Sequence, residues 1–162
     1  MIHDLRRGDL EITDPAEIDG LLSSAKYASI ALVDGDLPYV VTLSCGYDQM
    51  RNRMCFHVAR AGRKLDLIAA NPHACATVVR DLGYKTGECA HPYESVVVFG
   101  TMRVLDDPGD AREAMRTLIA QLESVGDASA TWERNRLDTA EGMARCHMLA
   151  LDIEQLTAKA GQ

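Results

Sequence analysis

The sequence predicts a mainly β protein, a six-stranded antiparallel barrel with flanking helices, and three observations carry that prediction. Six runs of strand-forming residues are separated by polar breaks, the early ones short enough for hairpins. Helical periodicity is confined to three stretches, too few and too unevenly placed for a doubly wound sheet. Closing such a sheet on itself removes the exposed edges that an open antiparallel sheet would carry.

The elements follow in chain order. Thr13-Asp14-Pro15-Ala16-Glu17 opens a helix: Asp14 can cap, Pro15 suits the first helical position and Glu17 stands three residues after the cap. Ile18, Leu21, Leu22 and Ala25 then form one apolar stripe, ending near Lys26. Strands are predicted over Tyr27–Val33 and Pro38–Tyr47, joined by Asp34-Gly35-Asp36, whose Asp-Gly step tolerates the positive φ of a tight hairpin. After the polar Asp48–Asn52 break, Arg53–Val58 reads as the third strand. Ala61–Ala70 switches to helical spacing and stops at Asn71-Pro72. Ala74–Val79 is the fourth strand, and Leu82–Pro92 a polar loop. Tyr93–Leu105 is the strongest strand, its Ser95–Phe99 centre apolar enough to be buried on both faces. Asp106-Asp107-Pro108 starts an amphipathic helix through Leu122. Ser124–Thr139 is polar and carries no assignable period, and Cys146–Ile153 alternates as a closing strand.

Composition bounds the function. With 162 residues and 47% hydrophobic content, the chain suits one domain over residues 1–162. No apolar run approaches the ~20 residues of a membrane span, and Met1–Gly8 has no leader-like apolar core, so a cytoplasmic protein away from membranes is expected. A net charge of −7 argues against a nucleic-acid partner. Its dense basic clusters, Arg51/Arg53 and Arg60/Arg63/Lys64, suit a small anion better than a polynucleotide. Five cysteines in no metal or redox spacing read as reduced thiols, Cys55 packing as a small hydrophobe. Cys89 with His91, or Cys146 with His147, falls short of four metal ligands, so no metal is expected. No G-x-S-x-G, Walker A or G-x-G-x-x-G sequence occurs.

The most informative segment is Phe56-His57-Val58-Ala59-Arg60-Ala61-Gly62-Arg63-Lys64-Leu65-Asp66, where a strand runs through a glycine into a helix start with three cations. Free N–H groups and the helix dipole attract phosphate there. Gly62 lets the backbone approach an anion, Arg60 and Arg63 offer forked donors, and Lys64 a point charge. Cations at a helix N-terminus are unfavourable without an anion, which favours a phosphate site over a merely solvated helix start. His57 reads either as a satisfied barrel histidine or as a proton donor or ligand beside a cofactor. In Tyr39–Ser44, Thr42 and Ser44 share one face and Val41 and Leu43 the other, as in an ordinary barrel strand or in one that meets the polar edge of a planar ring.

These residues, taken in order with Leu32-Val33-Asp34-Gly35, Pro38-Tyr39-Val40-Val41, Gly46-Tyr47-Asp48, Asn71-Pro72 and Tyr93-Glu94-Ser95-Val96-Val97-Val98-Phe99-Gly100, resemble the pyridoxamine 5′-phosphate oxidase-like, FMN-binding split-barrel family. Within it they are most similar to the nitroimidazole-resistance (Nim-type) branch, from Arg6 to about Lys159. The resemblance implies a split barrel, a homodimer, and FMN bound at the subunit interface with its phosphate on Arg60, Arg63 and Lys64, beside Gly62. It places Val41, Thr42 and Ser44 along the flavin and Ser95 near the cofactor or the interface, makes His57 the candidate catalytic residue, and leaves Tyr39 or Tyr93 to cover the ring. The implied function is an oxidoreductase passing electrons from a reduced nicotinamide to a small acceptor such as a nitro compound. The alternative is a carrier or sensor holding haem or another flavin, with His57 as a haem ligand. Three positions depart from the branch: Thr42 replaces a proline, Glu94 an arginine, and Thr157-Ala158-Lys159 a Thr-Gly-Lys.

Overall fold

The structure, a computed structural model, describes residues 6–161; residues 1–5, and with them most of the stretch read as lacking a leader, lie outside the described residues. Helix α1 (Pro15–Ser24) starts as its capping chemistry dictates, the Asp14 carboxylate accepting from the Ala16 N–H at 3.0 Å. Strands β1 (Tyr27–Asp34) and β2 (Leu37–Ser44) form the expected hairpin around Gly35, at φ +59°. Short β3 (Gly46–Asp48) and β4 (Arg53–Val58) form a second hairpin. There follow α2 (Arg63–Ala70), β5 (His73–Asp81), β6 (Tyr93–Val104), α3 (Pro108–Leu122), α4 (Val125–Arg134), α5 (Ala140–Met143) and β7 (His147–Gly161).

All pairings are antiparallel, in one sheet of order β2-β1-β5-β6-β7-β4-β3. The two ends of that order, β2 and β3, are joined through the single residue Cys45, so the sheet curls until its edges meet without hydrogen bonding: a barrel with one open seam. This seam corrects the strand count from six to seven. The run expected as one strand over Pro38–Tyr47 breaks at Cys45, which is fully buried with its thiol 3.6 Å from the Ala25 carbonyl. Immediately beyond, helix α3 crosses so close to Gly46 that a Cβ there would lie 2.6 Å from the Leu118 Cα. The barrel tolerates the continuous apolar sequence but not a continuous strand.

The core has two parts. Ala28, Ile30, Leu32, Phe56, Ala76, Val78, Val96, Val98, Leu149 and Leu151 fill the barrel. On the opposite side of β4 and β7, Cys55, Met148 and Ala150 pack under Ala114, Met115, Leu118 and Ile119 of α3. Burial on both faces therefore belongs to β4 and β7, not to β6 as expected. In β6 only Val96 and Val98 of the Ser95–Phe99 centre are fully buried, while Ser95, Val97 and Phe99 are half-buried on the sheet's outward face. Strand β7 extends well beyond Ile153, through a register shift against Phe99/Gly100 that leaves Glu154 and Gln155 exposed. No helix among the described residues is long and apolar enough to cross a membrane.

Candidate functional site

The segment after β4 is built around Gly62. At φ +141° it occupies backbone space that favours glycine, serves as the N-cap of α2 with no side-chain capping bond, and has nothing within 4 Å of where a Cβ would stand. Its carbonyl accepts the Leu65 N–H at 2.9 Å, closing the first turn. The first N–H groups of that turn have no intrahelical partner. Arg63 is exposed and Lys64 half-buried at the same turn, with Asp66 the acidic residue there.

The cations do not converge. The Arg63 guanidinium folds back on the β1–β2 hairpin, donating through Nε to Asp34 Oδ2 at 3.1 Å and through Nη2 to the same oxygen, over the Tyr39 ring at 5.2 Å. Arg60 turns the other way, its Nη1 donating to the Ala144 carbonyl at 2.7 Å, and lines a separate cavity under α5. Arg63 and Lys64 thus remain at the Gly62 turn without Arg60. These residues fit a phosphate: uncapped N–H donors, a forked cation and an ammonium, beside a glycine that leaves room.

The other residues singled out from sequence are spread around this unit. His57, paired in register with Met148, is exposed and has no hydrogen-bond partner among the described residues, so the satisfied barrel histidine gives way to a free imidazole. Val41 packs against the barrel core and offers only its backbone outward. Thr42 lies on the outward face, its hydroxyl 3.1 Å from that of Ser29, and Ser44 stands on the same face opposite Tyr27. Ser95, flanked by Val79 and Lys159, shares this outward face but lies three strand positions from β2. Within one chain, then, Ser95 is not brought to the α2 turn.

The departures noted in sequence find local partners. Glu94 pairs with Arg80 across β5 and β6 at 2.9 Å, and Arg80 also donates to Ser24 Oγ at 2.9 Å. Ala158 is buried and Lys159 lies 6.0 Å from the Tyr93 ring centroid. Sequence reasoning missed the opposite end of β4, where the expected anion-binding pair Arg51/Arg53 is already neutralised. Arg53 is 1% exposed and held by Asp48 at 3.2 Å and by Asp110 at 2.6 and 2.9 Å. The signal available was the acidic first turn of α3, 57 residues away. Burial pushes the thiols of Cys45 and Cys55 up to about 12, which removes them as nucleophiles at neutral pH. No group of three potential metal ligands occurs among the described residues.

Comparison with known proteins gives this arrangement a family. A candidate 5-nitroimidazole antibiotic resistance protein from Bacteroides thetaiotaomicron superposes with a TM-score of 0.74 at 19% identity, over 93% of this chain and 86% of that one. A flavocytochrome from Azotobacter vinelandii gives 0.77 at 19% identity, over 99% and 73%. An FAD- and haem-binding protein from Mycobacterium smegmatis gives 0.76 at 21% identity, over 94% and 73%. At these identities the likeness is one of fold. No curated protein matches the chain. The family model for pyridoxamine 5′-phosphate oxidase, however, matches residues 14–160, nearly the whole barrel from the α1 cap to the end of β7, and the chain belongs to that family.

Proposed function

We propose that this protein is a flavin-dependent oxidoreductase, working as a homodimer with FMN as its cofactor. The observation that carries the reading is the α2 start: an uncapped, glycine-opened helix terminus bearing Arg63 and Lys64. Cations at that end of a helix are unfavourable unless an anion sits there, and while Asp34 meets Arg63, Lys64 has no ion-pair partner among the described residues. Flavin binding by structural relatives of the same fold supports the choice of anion. A bound flavin would supply the transfer of electrons from a reduced nicotinamide to a small acceptor, such as a nitro compound.

This chain's residues have three tasks. The N–H groups after Gly62, with Arg63 and Lys64, neutralise the phosphate. Thr42 and Ser44 present hydroxyls along β2 to the polar edge of the ring. His57, exposed and with no hydrogen-bond partner among the described residues, would donate or relay a proton to the reduced acceptor. Support for a dimer comes from the outward sheet face, where Tyr27 (64% exposed), Val40 (64%) and Val79 (60%) present apolar side chains beside Thr42, Ser44 and Ser95. A second copy on this face would cover those side chains and bring Ser95 of one chain toward the site of the other.

A visible spectrum of the purified protein, repeated after stoichiometric FMN and gel filtration, tests the reading. Retention of about one flavin per chain is expected, with light scattering giving about twice the chain mass of 17.7 kDa. A colourless protein that releases all added FMN, or a Soret band without flavin, would overturn it.

A further inference from the structure

A cavity of about 290 Å³ lies between the start of α3, helix α5 and the first residues of β7, and the flavin reading makes no use of it. Its volume is at the small end for ligand sites. Two guanidinium groups line it, Arg60 and Arg112, against one carboxylate, that of the exposed Asp106. On a chain of net charge −7 this is a local excess of positive charge. Arg112 forms no ion pair among the described residues, and its Nε is buried without a hydrogen-bond acceptor. A buried charged donor left unmatched is uncommon in folded proteins and calls for an acceptor. Arg60 is fixed at the cavity by the Ala144 carbonyl, which uses one of its N–H groups and leaves the rest uncommitted.

Cys146 and His147 also line it, and the remaining walls are apolar, with Leu105, Met143 and Met148 among them. A bare phosphate would be desolvated against these side chains without filling the space they enclose. A carboxylate on a small apolar body matches both halves: two oxygens for the guanidinium forks, and hydrocarbon for the methionines and leucine. We propose that this cavity binds a small carboxylic acid with an apolar body, aromatic or short-chain, through Arg112 and Arg60. The proposal stands apart from the flavin reading, because Gly62, Arg63 and Lys64 do not line the cavity.

Isothermal titration of the full-length protein with benzoate tests it, with benzamide and inorganic phosphate as controls. Saturable benzoate binding is expected, with affinity lowered roughly tenfold or more in Arg112→Met and no saturable binding of benzamide. Ala140→Leu, which fills the cavity rim while keeping both arginines, should weaken benzoate as well, and it decides the matter should Arg112→Met fail to fold. Absence of benzoate binding to the wild type, equal affinity in a folded Arg112→Met or Ala140→Leu variant, or phosphate binding as tightly as benzoate would overturn the proposal.

Discussion

The two ends of strand β4 begin from the same raw material and finish differently. Each carries arginines beside a turn, Arg51 and Arg53 at one end, Arg60, Arg63 and Lys64 at the other. At the first end the fold delivers carboxylates from two directions, Asp48 from the β3 hairpin and Asp110 from the first turn of α3, and Arg53 becomes a buried strut between them. Arg103, paired with Asp152 at 2.7 Å, extends the same network. At the second end the fold delivers one exposed carboxylate, Asp34, to Arg63 and only a backbone carbonyl to Arg60. Whether a cationic cluster is locked in ion pairs or left open thus depends on the number of acids the tertiary structure brings to it, which local sequence does not state.

The largest effect is expected where the strut is removed. Arg53→Met should destabilise the protein by about 2–3 kcal/mol, because Asp48, 7% exposed, would keep only the exposed Arg51 as its cation and Asp110 would lose both hydrogen bonds from Arg53; urea unfolding measures it. A change below about 1 kcal/mol would show that the two ends of β4 do not differ as described. Next, Arg63→Ala should leave the unfolding midpoint in place but weaken FMN binding roughly tenfold or more, read by flavin fluorescence quenching. A stability loss without a change in flavin affinity would exchange the roles of the two clusters.

A smaller, pH-dependent effect follows from Asp110, whose carboxyl is held below its ordinary value chiefly by the hydrogen bond from Arg53. Since the folded group titrates below the unfolded one, its contribution is complete above the unfolded pKa and is lost as pH falls through the folded value. The stability difference between wild type and Asp110→Asn should therefore be constant above about pH 5 and shrink below about pH 4. A difference that does not vary between pH 7 and 3 would remove the ion pair from the account. The smallest effect is expected from Asp34→Asn, which frees Arg63 from its exposed partner and should tighten FMN binding up to severalfold without moving the unfolding midpoint.

Much of this architecture was legible along the chain because it is dictated locally. Asp14 and Asp107 cap their helices as expected, the latter accepting from the Asp110 N–H at 2.7 Å, and Gly35 turns the first hairpin. The α2 start was legible for the same reason, since glycine followed by cations is a feature of adjacent residues. What escaped depends on distant neighbours. The break at Cys45 is imposed by α3 lying over Gly46. The extension of β7 is hidden by the exposed Glu154 and Gln155 at its register shift. Helix α4 is polar along most of its length and is identified in the fold by Trp132, whose ring lies 4.7 Å below the Arg116 guanidinium of α3. Likewise nothing near Arg60 in sequence says that Ala144 will draw it away from Arg63.

The proposed flavin site stands or falls on phosphate binding at the Gly62–Lys64 turn. Parallel titrations with FMN and with riboflavin, which has the same ring but no phosphate, test it most directly. FMN is predicted to bind at least roughly tenfold more tightly than riboflavin, and Arg63→Ala to narrow that gap. Equal affinities of the two ligands for the wild-type protein would contradict it.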